Sequence, residues 1–309
     1  MGAMVCLPGL QSAETVTPEG CRVEKFELKS AAMGREIKVG VLLPPGSKET
    51  GSLPVLYALH GRGASYLSFQ EMAPLRAFVA GHPMIVVSFD ADDDSCYLDA
   101  TNRPNSLFTT FFFKELMPEI ARRYETDGQV AVTGFSMGGF GAMHYLLTHP
   151  ERFVSVSSLS GAFDLFDPAY EREGWKAWAE ELLGNRGENP AAHSKMVLAP
   201  RLEALVSSGT KLPPLFLLCG SGDGLKIGNR RFLDMLQSVS DNELKKHAKE
   251  LEAITDVTKK RARIAEIQKA SLVDFEYRES PGGHDWPYWR DHFAAAAEFH
   301  WQHFQKKAP

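Results

Sequence analysis

Val130-Ala131-Val132-Thr133-Gly134-Phe135-Ser136-Met137-Gly138-Gly139-Phe140-Gly141-Ala142-Met143 is the stretch on which the rest of the chain turns. Apolar, β-branched residues lead into Gly134-Phe135-Ser136-Met137-Gly138, and small and apolar residues follow as far as Leu147. The pattern predicts a buried strand, a sharp reversal and a helix. Glycines two residues to either side of Ser136 let strand and helix approach without a Cβ clash. The serine then sits strained at the turn, its hydroxyl exposed and helix N–H groups beside it. The five-residue centre is the G-x-S-x-G nucleophile elbow, and the strand and helix readable on its flanks give the short match its weight.

Working outward, residues 23–28 and 37–43 alternate apolar with polar, as in Ile37, Val39 and Val41 against Lys38 and Gly40. This is the period of an antiparallel hairpin with one wet face. Apolar runs at 55–59, 84–89 and 215–219, and the Val- and Ser-rich stretch 154–160, read as strands, and a last strand is expected over 272–277. Helical spacing falls between them, at 75–80 and at 106–124, where Pro118 is expected to bend the helix. Strand alternating with helix predicts an α/β fold with a doubly wound, mostly parallel sheet and an antiparallel N-terminal hairpin.

The chain of 309 residues, 44% hydrophobic, can bury a sizeable core. A net charge of -5 and a pI near 6.1 speak against a nucleic-acid or anionic-membrane partner. Cys6, Cys21, Cys96 and Cys219 are too scattered for a disulfide scaffold and form no C-x-x-C pair. No apolar run approaches the length of a membrane span. Met1-Gly2-Ala3-Met4 reads as an expression scar, and residues 1–21 as a flexible lead. Val5-Cys6-Leu7-Pro8-Gly9-Leu10 is short for an export signal and lacks a basic lead, so it is either a trimmed remnant of one or a plain disordered arm. The compartment, exported or cytoplasmic, stays open. Residues 22–309 are expected to form one domain with one decoration, the highly charged stretch 237–272. Its Leu244, Leu251, Ile254, Val257, Ile264 and Ile267 fall at helical spacing, with Asp241 as expected N-cap. This stretch reads as a solvated helical insertion, and its position between two candidate catalytic residues makes a lid the rival reading.

A serine hydroxyl is a poor nucleophile at neutral pH. It needs a base within hydrogen-bond reach, and the base needs a carboxylate to hold its tautomer. Asp223 follows the apolar run 215–219 in a glycine-rich loop, and His284 follows the last predicted strand in Ser280-Pro281-Gly282-Gly283-His284-Asp285-Trp286. The order serine, acid, histidine, each after a strand, is that of α/β-hydrolases. Asp285, next to the histidine in sequence, is badly placed to reach the far ring nitrogen. The N–H of Met137 supplies one oxyanion donor, and His60-Gly61-Arg62-Gly63, after the strand ending at Leu59, offers the N–H of Arg62 as the second. Asp92, Asp93 and Asp94 cannot all face one ion from an extended loop, so they read as a solvated turn and no metal site is assigned. Trp175, Trp178, Trp286 and Trp289 could each stack on a sugar or an aromatic acyl group, although such residues are more often packing, and Trp286 and Trp289 are assigned as substrate-binding.

Leu59-His60-Gly61, Gly134 to Gly139, the loop Gly220 to Asp223 and Gly282 to Trp289 together resemble the Putative esterase family of α/β-hydrolases. That family includes carbohydrate esterase family 1 acetylxylan and feruloyl esterases, tributyrin esterases, S-formylglutathione hydrolases (esterase D) and mycolyltransferase antigens. The resemblance covers about residues 22–305 except the charged insertion. It implies an α/β-hydrolase fold and a Ser136–Asp223–His284 triad that works without a cofactor. Two departures stand out: the separation of 61 positions from Asp223 to His284, lengthened by the insertion, and the acidity of residues 90–98. The expected activity is hydrolysis of short-chain acyl (acetyl) or feruloyl esters, small or carbohydrate-linked. A glutathione-thioester hydrolase or an acyltransferase is the alternative within the enzyme class. A silent relative that binds carbohydrate or protein is the alternative outside it.

Overall fold

Each apolar run of the sequence becomes a strand of one mixed sheet. The computed structural model describes residues 13–47, 51–170, 172 and 174–306. The strands are β1 (Ala13–Val16), β2 (Arg22–Ser30), β3 (Arg35–Leu43), β4 (Leu53–Leu59), β5 (Ile85–Phe89), β6 (Thr126–Gly134), β7 (Ser155–Leu159), β8 (Leu215–Gly220) and β9 (Phe275–Ser280). They lie in the order β1-β2-β3-β5-β4-β6-β7-β8-β9. β1, β2 and β3 are antiparallel, β3 meets β5 antiparallel, and from β5 to β9 every pairing is parallel.

The helices are α1 (Ala73–Gly81), α2 (Phe108–Phe111), α3 (Met117–Arg123), α4 (Met137–Thr148), α5 (Trp175–Leu183), α6 (Pro190–Ser194), α7 (Leu198–Ser207), α8 (Lys226–Lys246), α9 (Ala248–Ala253), α10 (Val257–Ala270) and α11 (Trp286–Phe304). The two faces of the sheet carry separate cores, because alternate strand residues point to opposite sides. Val55, Tyr57 and Leu59 of β4 join Phe140, Met143 and Leu146 of α4 on one side. Leu56 and Ala58 join Leu75 and Val79 of α1 and Phe293 and Ala297 of α11 on the other. Each fully buried Leu, Val or Phe stabilises the fold by about 1.5–3 kcal/mol.

Three expectations are corrected here. The lead is not wholly flexible: β1 pairs along β2, with Val16 opposite Arg22, and Glu19 is anchored by Arg76 of α1 at 2.9 Å. The readings placed on residues 1–12 lie outside the described residues. The helix over 106–124 is broken by a π turn at Phe112–Leu116, closed by the Met117 N–H on the Phe112 carbonyl. A wider turn directly ahead of Pro118 accommodates a residue that has no N–H to give.

The third correction concerns the insertion. Asp241 caps nothing, because α8 starts at Lys226 and runs straight through it, and the Asp241 carboxylate accepts from Gln237 within the helix at 2.9 Å. The N-cap in this stretch is Asp256, which accepts from the Lys259 N–H at 2.8 Å. Leu251 and Ile267 are buried, whereas Val257 is exposed. At about 1.5 Å per residue α8 spans roughly 30 Å, from the loop of Asp223 to the opposite end of the sheet. There Leu212 donates to the Leu272 carbonyl and Leu215 to that of Asp274, where β8 and β9 begin. The insertion therefore sits at the strand ends remote from Ser136 and His284 and does not cover them.

Candidate active site

Ser136 stands between β6 and α4 with φ 56° and ψ -118°, a conformation an L-residue holds only under constraint, at a cost of about 1–3 kcal/mol. The constraint is visible in the backbone. The Ser136 N–H donates to the Leu159 carbonyl at 3.0 Å, and the Ser136 carbonyl accepts from Phe140 at 3.1 Å and from Ala162 at 3.2 Å. A Cβ at Gly134 would lie 2.3 Å from the Gly138 oxygen, and one at Gly138 would lie 2.0 Å from the Leu59 oxygen. Only glycine lets β4, β6 and α4 close around this turn.

The Ser136 Oγ lies 2.8 Å from His284 Nε2, and His284 Nδ1 lies 3.0 Å and 3.1 Å from the two carboxylate oxygens of Asp223. A carboxylate only accepts, so Nδ1 carries the proton and Nε2 is free to accept from the serine. The Asp223 side chain is 0% exposed. Burial pushes its pKa up, but the hydrogen bond from His284 and the Leu225 N–H at 2.6 Å outweigh it and hold the carboxyl below its ordinary value. It stays a carboxylate.

Gly282 gives the histidine loop its path: it has φ 151°, and a Cβ there would lie 2.1 Å from the Tyr288 ring. Asp285 is the N-cap of α11, accepting from the Tyr288 N–H at 3.0 Å, so it fixes the start of the helix behind His284. The two tryptophans assigned to substrate part company. Trp286 is 37% exposed, its ring edge-on to Phe135. Trp289 is 9% exposed, stacked on Phe135 at 4.7 Å and meeting the His284 ring at 4.8 Å and 90°. It is a buttress under the imidazole with no free face for substrate, which corrects that assignment.

Gly61 brings the loop after β4 against the elbow, where a Cβ would lie 2.9 Å from Phe135 and 3.3 Å from the Ser136 Cβ. Among the described residues the N–H groups of Met137 and Arg62 have no intramolecular acceptor. His60, passed over in the sequence, holds this loop. Its Nδ1 donates to the Gly61 carbonyl at 2.9 Å, its Nε2 accepts from the Ala91 N–H at 3.1 Å, and its own carbonyl accepts from the Tyr97 hydroxyl at 2.8 Å. Burial keeps the imidazole below its usual pKa, as a neutral linker. A polar residue ending an otherwise apolar strand was the available signal. Two of the acids after β5 are spent on arginines: Arg35 pairs with Asp92 at 2.6 Å, and Arg103 takes both oxygens of Asp94 at 2.6 and 2.8 Å. Trp178 also proves to be more than packing, since its Nε1–H donates to the Asp94 carbonyl at 2.7 Å and the Arg62 guanidinium lies 5.0 Å above its ring.

A serine on a strained strand–helix turn, joined through histidine to a buried carboxylate in the loop after a later strand of a doubly wound sheet, defines an α/β-hydrolase. Comparison with known proteins narrows this. A family model described as Putative esterase matches residues 30–200, and the chain belongs to that esterase family. "Esterase Rv1288" of Mycobacterium tuberculosis (strain ATCC 25618 / H37Rv) is 35% identical over 157 residues, 47% of this chain and 33% of that protein. The match thus spans about a third of the curated relative. An S-formylglutathione hydrolase from Agrobacterium tumefaciens superposes with a TM-score of 0.71 at 20% identity, covering 94% of this chain and 98% of that one. A CE1 ferulic acid esterase from Anaeromyces mucronatus superposes with a TM-score of 0.57 at 17% identity, covering 97% and 95%. At those identities the likeness is one of fold. Among the described residues no helix is long and apolar enough to cross a membrane.

Proposed function

We propose that the protein is a serine carboxylic-ester hydrolase acting on short-chain acyl or feruloyl esters, with Ser136 as nucleophile, His284 as general base and acid, and Asp223 as the orienting carboxylate. The observation that carries this reading is the unbroken hydrogen-bond chain from the Ser136 hydroxyl through His284 to Asp223, at 2.8 and 3.0 Å. As Ser136 Oγ bonds to the acyl carbon, its proton passes to His284 Nε2, and the carbonyl π electrons move onto oxygen. The N–H groups of Met137 and Arg62 hold that oxyanion. Collapse breaks the bond to the alcohol, which leaves with the proton from His284. Water then repeats the sequence on the acyl-enzyme, releasing the acid and restoring the serine. The names of the structural neighbours suggest the arms of a substrate panel: acetyl, butyryl and feruloyl esters beside S-formylglutathione.

The test is Ser136→Ala assayed on p-nitrophenyl acetate, with fluorophosphonate labelling of the parent chain. A fall of about three orders of magnitude or more in kcat is expected, with labelling confined to Ser136. Intact hydrolysis in the alanine variant, or no labelling of the parent, would refute the reading.

A further inference from the structure

The chain is acidic, with a net charge of -5, and its arginines are for the most part paired with carboxylates, as in Arg22–Glu24, Arg76–Glu19, Arg103–Asp94, Arg123–Glu119, Arg230–Glu279 and Arg231–Asp164. Arg62 is an exception. It is exposed, and among the described residues no carboxylate lies within ion-pair distance of it. It is also the residue after Gly61, whose Cα approaches the elbow so closely that a Cβ would lie 3.3 Å from that of Ser136. A charge left unpaired one residue from this contact asks for a partner that the protein does not supply.

The guanidinium is nonetheless held in place. It lies 5.0 Å over the ring of Trp178, a cation–π stack that covers one face and leaves the N–H edge free. Trp178 is fixed by its bond to the Asp94 carbonyl, while the Asp94 carboxylate, which feels the Arg62 charge without pairing with it, is taken up by both terminal nitrogens of Arg103. Arg103 in turn reaches Glu181 of α5, the helix that carries Trp178. Donors fixed in advance lose little freedom on meeting a planar anion, and the fork of a guanidinium matches a carboxylate at two points. On another side of Phe135, the exposed ring of Trp286 offers an apolar surface.

We infer that Arg62, stacked on Trp178, is the specificity-determining residue of this site and that it selects esters carrying a carboxylate. The inference rests on the ester-hydrolase reading above, to which it adds a substrate class. The backbone N–H of Arg62 serves the oxyanion and its side chain serves the distal charge, so one residue couples recognition to the reacting carbonyl.

Two pairs of esters test this: 4-acetoxybenzoate against its methyl ester, with the charge on the alcohol half, and phenyl hydrogen succinate against methyl phenyl succinate, with the charge on the acyl half. In the parent chain the charged member of one pair should show a KM lower by about tenfold, as expected of a two-point charge-assisted contact. Which pair responds says which half carries the charge. The gap should narrow as salt is raised from about 20 mM to 500 mM, since the contact is at an exposed mouth. Arg62→Gln should abolish the gap, and Arg62→Lys should restore part of it. Hydrolysis of all four esters with no preference for a charged member, or a preference that survives in Arg62→Gln, overturns the assignment and leaves the esterase reading standing. Failure to hydrolyse any of the four overturns both.

Discussion

His300 offers a test of how the histidine-bearing helix is held in place. It lies in α11, wholly buried, with Nδ1 2.7 Å from the Ser155 hydroxyl and Nε2 2.8 Å from that of Ser157. Ser157 donates to Thr133 of β6 at 2.7 Å. Nε2 therefore carries the proton toward Ser157, and Nδ1 accepts from Ser155. The network pins α11, whose first turn follows directly on His284, to the strand that leads into Ser136. Burial, helped by the charge of His303, lowers the His300 pKa from 6.5 to about 3. The unfolded chain binds this proton below pH 6.5 and the folded chain does not until about pH 3, so stability falls as pH drops through that window. Each pH unit is worth about 1.4 kcal/mol, and at pH 4.5 the loss relative to pH 8 is about 2.7 kcal/mol. His300→Gln can still bond both serines but cannot titrate. Urea unfolding followed by tryptophan fluorescence, at pH 8 and pH 4.5, should show the variant losing about 2–3 kcal/mol less than the parent over that interval. His60 and His144, also depressed by burial, act alike in both proteins and cancel in the difference. Equal losses in the two proteins would refute the assignment of a neutral, titration-resistant His300.

Asp223→Asn should fold, since the Leu225 N–H can still be accepted, but it favours the wrong imidazole tautomer. A loss on the order of 10⁴ in kcat toward a p-nitrophenyl ester is expected. Gly138→Ala drives a methyl to 2.0 Å from the Leu59 oxygen, a backbone atom that cannot rotate away. It should destabilise the fold by more than about 3 kcal/mol, read as a lowered urea midpoint. Lys259→Glu with Arg261→Glu reverses two exposed charges of α10 at the far end of the sheet. Lying at the strand ends remote from Ser136, and screened by salt, they should leave kcat/KM for p-nitrophenyl acetate within about twofold, whereas a lid role for this insertion predicts a far larger change.

The parts of the fold legible in the sequence were those governed by local rules. Strand positions followed from apolar runs, the elbow from its glycines, and the order of Ser136, Asp223 and His284 from the strand each one follows. What escaped was set by partners distant in sequence. Trp289 and Trp286 are three residues apart in similar company, but Trp289 stacks flat on Phe135 beside His284 and is buried, whereas Trp286 meets Phe135 only edge-on and stays exposed. His60 looked like the end of an apolar run because its partners, Ala91 and Tyr97, lie on another loop. Asp241 has the chemistry of an N-cap, yet the helix already running from Lys226 carries it past the point where a cap would act. The length between Asp223 and His284 suggested a cover for the site, and only the direction of α8, away from the carboxyl ends of the strands, shows otherwise.

That direction bears on how the site is built. In a parallel sheet the carboxyl ends of the strands converge on one rim, where loops are free to carry chemistry. Here the elbow at Ser136, the loop of Asp223, the loop of His284 and the loop of Arg62 all leave β6, β8, β9 and β4 at that rim. Phe135 unites three of them: its ring touches Trp289 beneath His284 and Trp286 at the mouth, and lies where a side chain at Gly61 would stand. Replacing Phe135 by Leu would keep the apolar volume roughly constant but remove the stacked face, worth about 0.5–1.5 kcal/mol beyond area burial. The expected outcome is a modest loss of stability with a disproportionate fall in kcat, because the imidazole loses the support that fixes its angle. Measured by urea unfolding alongside steady-state kinetics, a fall in stability with kcat unchanged would show that the ring only fills space.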